Sequence, residues 1–350
     1  MTTQLPGLDL ARVTDYLAAE RPGLLRGELT AELIAGGRSN LTYVLHDRAA
    51  GTDPTGENTH SWVLRRPPLG HVLATAHDMG REYRVISALA DTPVPVPETI
   101  LLCTDTDVLG APFYLMRHVS GTPYRTVDQL TTLGAERTNA IGMAVVDTLA
   151  DLHAVQPESV GLADFGRPEG FLERQVRRWG KQLAGSYSRD IPGIDRLHEK
   201  LGQRLPASPD GTIVHGDFRL DNMLLDANDR VTAVLDWEMS TLGDPNTDLG
   251  LLVVYDALGG LDGANPISTT GDAPGYPTTG EQIERYAARS GRDLSQLDWY
   301  IAFGYFKLAV IIEGIYYRHT HGQTVGSGFE HIGELVAPLV ADGLATLKEN

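Results

Sequence analysis

Cysteine and lysine are the scarce residues of this chain. Cys103 is the only cysteine in 350 residues, which excludes an internal disulfide and suits a reducing cytoplasm. Lysine first appears at Lys181, and only Lys200, Lys307 and Lys348 follow. Any cation that meets an anionic ligand from the first half must therefore be an arginine or a protonated histidine. No uninterrupted apolar run approaches the ~20 residues that cross a bilayer. The start, MTTQLPGLDLARVTDYL, lacks the charged opening and apolar stretch of a secretory signal. Together these imply a cytoplasmic protein with no membrane partner. A basic excess is missing as well: the formal charge is −17, which argues against a nucleic-acid partner and would draw in a cationic small molecule. H-E-x-x-H, C-x-x-C and G-x-S-x-G are all absent, and no internal repeat shows.

What is present concentrates in Ile213–Glu238, IVHGDFRLDNMLLDANDRVTAVLDWE. Two apolar runs, Met223–Leu225 and Val231–Leu235, flank the turn-forming pair Asn228-Asp229, the pattern of a short antiparallel hairpin. Asp217 and Asn222 lie just before the first strand and Asp236 at the end of the second. The hairpin therefore gathers two carboxylates and an amide. Hard oxygen ligands of this kind suit Mg²⁺, which keeps waters and shares its remaining positions with substrate phosphates. Read blandly, the three are turn residues bonding their own backbone.

The spacing H-G-D-x-x-x-x-N, followed by Leu-Asp-Trp-Glu after an apolar strand, resembles the aminoglycoside phosphotransferase family, whose fold is that of protein kinases. Within it the chain most resembles the branch that also occurs fused to acyl-CoA dehydrogenases. The resemblance spans roughly residues 30–250. It implies a two-lobed α+β fold: an antiparallel-sheet, nucleotide-binding lobe over 1–118 and a mainly helical lobe over 119–350 with the catalytic loop and acceptor site. ATP, or GTP, would bind in the cleft between the lobes. Asp217 would accept the hydrogen of the attacking hydroxyl, and Asn222 and Asp236 would hold Mg²⁺ on the nucleotide phosphates. A carboxylate with a pKa near ~4 is a weak base, so Asp217 orients the hydroxyl and takes its proton late. His215 reads as an orienting hydrogen-bond partner, and Asp248 as a brace for the loop backbone or a local helix cap.

In chain order, Asp9–Glu20 has helical apolar spacing, and strands are expected at Leu29–Ala35, Leu41–His46 and Ser61–Arg66. Between the first two strands, Gly36, Gly37, Arg38 and Ser39 form either a plain hairpin turn or a backbone cradle for phosphate. Arg65 stands where kinases carry lysine; it still offers phosphate a two-pronged donor, and Glu82 on the helix within Thr75–Ala90 is its expected partner. Strand alternation sends Arg66 to the opposite face as a surface residue. Glu98–Thr104 and Ala111–Val119 close the sheet, with Arg117–Val119 (Arg117 and Val119 among the nucleotide contacts) as the hinge that receives adenine through backbone bonds. Helices follow at Gly134–Val155, Gly170–Tyr187, Glu281–Ser290, Leu297–His319 and Phe329–Leu347. The second carries a basic face, Arg174, Arg177, Arg178 and Lys181, either solvated or facing an anionic substrate tail.

The family resemblance implies an ATP-dependent transfer of the γ-phosphoryl group to a hydroxyl of a small metabolite, such as a hydroxyacyl-CoA. An aminoglycoside acceptor, which the acidic charge suits, comes second. A nucleotide-binding pseudokinase module is the rival from another class; Arg65 in place of lysine argues for it, and intact Asp217, Asn222 and Asp236 argue against it.

Overall fold

The computed structural model describes residues 5–34, 40–49, 59–69, 77–208, 211–258, 269–323 and 329–347. Gly36, Gly37, Arg38 and Ser39 lie outside the described residues. The chain divides into two compact units: Met1–Ser120 with Leu235–Glu238, and Gly121–Val234 with Met239–Asn350.

The first unit is built on five antiparallel strands: β1 (Gly27–Leu33), β2 (Leu41–Ala49), β3 (Thr59–Arg66), β4 (Thr99–Cys103) and β5 (Phe113–Arg117). Their spatial order is β1-β2-β3-β5-β4. Alternation puts Tyr43 and Leu45, Trp62 and Leu64, and Phe113 and Leu115 in one core. Helix α1 (Leu10–Glu20) closes that core with Val13 and Leu17, and starts where the Asp9 carboxylate accepts from the Arg12 N–H. Helix α2 (Met79–Leu89) begins in the same way on Asp78, and α3 (Thr106–Leu109) is a single turn between β4 and β5.

Arg66 corrects the sequence reading. It does share the face of Trp62 and Leu64, but that face is the packed one, and Arg66 is 4% exposed. Its guanidinium stays inside because it donates to the carbonyls of Gly7, Leu109 and Pro67. An arginine on a central strand with three carbonyls in reach is a structural staple.

The second unit is mainly helical: α4 (Val127–Thr131), α5 (Ala135–Ala154), α6 (Phe171–Ser186), α7 (Ile194–Gln203), α8 (Asn246–Ala257), α9 (Thr279–Ser290), α10 (Leu297–Thr320) and α11 (Val336–Thr346). Two small sheets interrupt it, β6 (Thr212–Val214) with β9 (Thr241–Gly243), and β7 (Met223–Leu225) with β8 (Val231–Val234). Helix α10 is long and apolar enough to cross a membrane, yet 72% of its apolar window is buried inside the protein. It is the core helix, packed against α6, α7, α8 and α11. Its contact with α8 is backbone-close: a Cβ on Gly250 would meet the Tyr300 carbonyl at 2.6 Å. Trp299, Phe303 and Phe306 of α10 are buried core.

Candidate active site

In the second unit, strand β6 delivers the chain into the turn His215-Gly216-Asp217. Gly216 has φ +83, and a Cβ there would sit 2.8 Å from the Met239 carbonyl oxygen, so only glycine fits. Asp248, in the first turn of α8, holds this turn by its backbone. Its carboxylate accepts from the His215 N–H at 2.6 Å and the Gly216 N–H at 2.8 Å. Burial works against the Asp248 charge, but bonds from His153 and from the loop outweigh it and hold the carboxyl below its ordinary range. Asp248 is therefore the loop brace; Pro245, three residues earlier, occupies the cap position of α8. His215 is fully buried, and its Nδ1 accepts from the Asp217 N–H at 3.2 Å.

The Asp217 carboxylate is held from several sides. Oδ1 accepts from the Tyr255 hydroxyl at 2.5 Å, and Oδ2 from the Asn222 amide at 3.0 Å. Asn222 also donates to the Asp217 carbonyl at 2.9 Å, and the Arg219 Nε lies 3.3 Å from Oδ2. Arg219 reaches on to Asp221 at 3.0 Å, its guanidinium 5.0 Å from the Tyr255 ring centre. Burial pushes the Asp221 carboxyl up to about 6, against the pull of Arg219. From α10, the Lys307 ammonium donates to the Gly216 carbonyl at 2.6 Å. Tyr255, Arg219, Asp221 and Lys307 went unread in the sequence. The legible signal for Lys307 was a single cation inside an otherwise apolar helical run, AFGYFKLAV.

Asn222 directly precedes β7, and Asp236 follows β8 by two residues. The two strands pair with Met223 opposite Val234. Asp236 has φ +65, a left-handed backbone that aspartate tolerates better than most residues.

In the first unit, Arg65 of β3 joins three carboxylates. Its Nε lies 3.1 Å from Glu82, its Nη2 bonds Asp236 at 2.5 Å, and Glu238 is 3.8 Å away. Glu82 is 1% exposed. Burial opposes the charge on Arg65, yet Glu82, Tyr114, Asp236 and Glu238 together raise its pKa above the ordinary guanidinium value. Glu82 is raised by burial, with Arg65 pulling the other way. Asn40 anchors Glu238 by donating a hydrogen bond from its amide nitrogen at 2.9 Å. Arg117 belongs to neither group. It is exposed at the end of β5, pairs with Glu98 at 2.6 Å, and gives its N–H to the Glu98 carbonyl. His118 gives its N–H to Ser61, so Val119, half-buried, is the first residue past the sheet. On α6, Arg174 is spent on the carbonyls of Arg167 and Glu169, whereas Arg177, Arg178 and Lys181 are exposed.

Asn222 commits its amide nitrogen to Asp217, which leaves its Oδ1 as a hard oxygen of the kind Mg²⁺ takes; Asp236, in the first unit, carries oxygens of the same kind. One or two such protein oxygens with phosphates and water are how this ion is commonly held.

An antiparallel five-stranded sheet followed by a helical part, with an H-G-D-x-x-x-x-N turn braced from a buried helix, defines a kinase-like phosphotransferase. The chain belongs to the phosphotransferase enzyme family (APH), whose model matches residues 30–300. It is 35% identical over 325 residues to acyl-CoA dehydrogenase family member 11 of Pongo abelii, an alignment covering 91% of this chain and 40% of that protein. The chain thus spans well under half the length of that relative. A crystal structure from Ralstonia eutropha, assigned provisionally to the aminoglycoside phosphotransferases, shares 32% identity and a TM-score of 0.79, covering 97% of this chain and 98% of its own. A thermostable mutant of aminoglycoside phosphotransferase APH(4)-Ia, in ternary complex with ADP and hygromycin B, shares the fold at 14% identity with a TM-score of 0.61, over 97% of this chain and 99% of its own.

Proposed function

We propose that the protein transfers the γ-phosphoryl group of ATP, or of GTP, to a hydroxyl of a small acyl-CoA-type metabolite. The observation that carries this is the Asp217 carboxylate, held by Tyr255 and Asn222 on a loop whose backbone Asp248 braces. In the proposed step the bond from the γ-phosphorus to its bridging oxygen breaks, leaving the nucleoside diphosphate. The acceptor oxygen forms the new P–O bond, and its proton passes to Asp217 late in the transfer. Such transfers need mainly positioning and charge neutralisation. Asn222 and Asp236 would hold Mg²⁺, whose charge neutralises the phosphates. Arg65, kept charged by its carboxylate neighbours, would contact them as well, and Gly36, Gly37, Arg38, Ser39, Arg117 and Val119 complete the proposed nucleotide contacts. The nucleotide role of residues 1–118 and the acceptor role of 119–350 belong to the same proposal.

The acceptor class rests on similarity to a protein named for acyl-CoA dehydrogenation. An aminoglycoside is the second reading, favoured by the −17 charge and by the hygromycin B complex of a fold relative. Nucleotide consumption over a panel of hydroxyacyl-CoAs, aminoglycosides and simple alcohols separates them, with Asp217→Ala as control. Turnover confined to hydroxyacyl-CoAs and lost in the variant supports the proposal. Tight Mg-nucleotide binding with no turnover on any alcohol makes the protein a nucleotide-binding module instead.

A further inference from the structure

Lys307 is one of the buried groups that the phosphoryl-transfer chemistry does not use. Lys307 lies near the middle of α10, is 7% exposed, and is flanked by Phe306 and Leu308, both buried. A lysine ammonium left in such a place without partners would be very costly, and cores normally avoid it. Here the ammonium donates to the Gly216 carbonyl at 2.6 Å and lies 5.5 Å from the Trp179 ring centre. Gly216 is the residue whose N–H is taken by Asp248. The turn is therefore clamped from two elements: α8 accepts its donors, and α10 donates to its acceptor.

We propose that Lys307 is a positioning residue for Asp217, its ammonium fixing the Gly216–Asp217 peptide and setting a positive charge beside the Asp217 carboxylate. The inference rests on the phosphotransferase reading of Asp217. The charged and titratable groups around Lys307 are Asp217 and His215 in the turn, Asp248 on α8 and Arg178 on α6. On α7, His198 stacks on the adjoining Phe306 with ring centres 5.2 Å apart. Burial lowers the Lys307 pKa below the ordinary lysine value, and Arg178 adds to this, while Asp217 and Asp248 oppose it. A packing role would need only the aliphatic stem. A positioning role needs the charge.

With four lysines in the chain, a ¹³Cε NMR titration resolves each, and Lys307→Arg assigns the signal. The Lys307 signal should titrate below the ordinary lysine value, and Asp217→Asn should lower its midpoint further by removing a carboxylate that favours the ammonium. A Lys307 signal that titrates at the ordinary lysine value, or that ignores Asp217→Asn, overturns the proposal. This readout needs no acceptor, so it stands apart from any failure to find turnover. With an acceptor in hand, Lys307→Met should cut kcat by roughly 100-fold, the scale of a small misplacement at a reacting centre, with KM little changed. Lys307→Arg should restore much of it and keep kcat at alkaline pH where the wild type declines, because arginine does not deprotonate there. An alkaline limb that coincides in wild type and Lys307→Arg, or a folded Lys307→Met with kcat within twofold of wild type, contradicts a role for the charge.

Discussion

At the candidate site Arg65 pairs with Glu82 and Arg219 with Asp217. Arg65 is the only cation paired with Glu82 among the described ion pairs, and Glu82 is almost fully buried. Removing one partner of such a pair leaves a charge stranded, which costs about 3–5 kcal/mol. Arg65→Met should therefore lower unfolding stability on that scale in urea. The double variant Arg65→Met/Glu82→Gln should lose clearly less than the two single losses added together. Additive losses would mean that the two groups do not depend on each other. Asp217 has the opposite character: it is partly exposed and its bonds come from neutral as well as charged donors. Asp217→Asn should fold with near wild-type stability and bind Mg-nucleotide, yet lose about 10²–10⁴ in kcat. Calorimetric nucleotide titration beside turnover checks both halves.

Among the elements, the hairpin was legible in the most local chemistry. Met223–Leu225 and Val231–Val234 pair as the apolar runs and the Asn228-Asp229 turn imply, because short-range chemistry fixes a hairpin. The sheet strands and α1, α2, α5, α6, α9 and α10 fell where their periodicity put them, within a few residues at the ends. Strands β6 and β9, at three residues each, are too short to alternate visibly, and α7 has only Ile194, Leu197 and Leu201 to mark its buried face. Arg66 was misread for a different reason: alternation gives the face but not whether that face is covered. Tyr255 and Lys307 were invisible as site residues because they reach the turn from helices distant in sequence; Arg219 pairs locally with Asp217 and Asp221, a pattern any turn arginine can show. Gly216 tests the turn itself. Gly216→Ala forces a left-handed φ on a side chain 2.8 Å from a carbonyl oxygen, a strain of about 1–3 kcal/mol. It should lower the melting temperature and cut kcat together; unchanged kcat in a folded variant would show that the turn tolerates displacement.

Taken as a whole molecule, the chain is acidic and buries several of its acids, so its stability depends on pH in a definite sense. Burial pushes Asp256 up to about 7, with the bonds from Gln282 and Tyr276 pulling down. Asp221 is pushed up to about 6. Both carboxyls bind a proton more tightly folded than unfolded, where the value is about 3.9. Their contribution is therefore full below about pH 4 and lost as pH rises through about 6 to 7. His153 works in the other direction: burial lowers its pKa, so its contribution is present above the ordinary histidine value of about 6.5 and lost as pH falls. Asp256→Asn removes the carboxyl term alone. The variant should gain stability relative to wild type as pH rises from 5 to 8, read as a change in the difference between melting temperatures; a difference constant with pH would exclude Asp256 as a buried titrating group. Above these terms stands the claim of phosphoryl transfer to a hydroxyl. Its most direct test is mass spectrometry of a hydroxyacyl-CoA after incubation with ATP, Mg²⁺ and either wild type or Asp217→Asn. A phosphate ester on the acyl hydroxyl with wild type alone is the predicted result. An unmodified acyl-CoA beside a phosphorylated aminoglycoside from the same panel, or no phosphorylated alcohol at all, would contradict it.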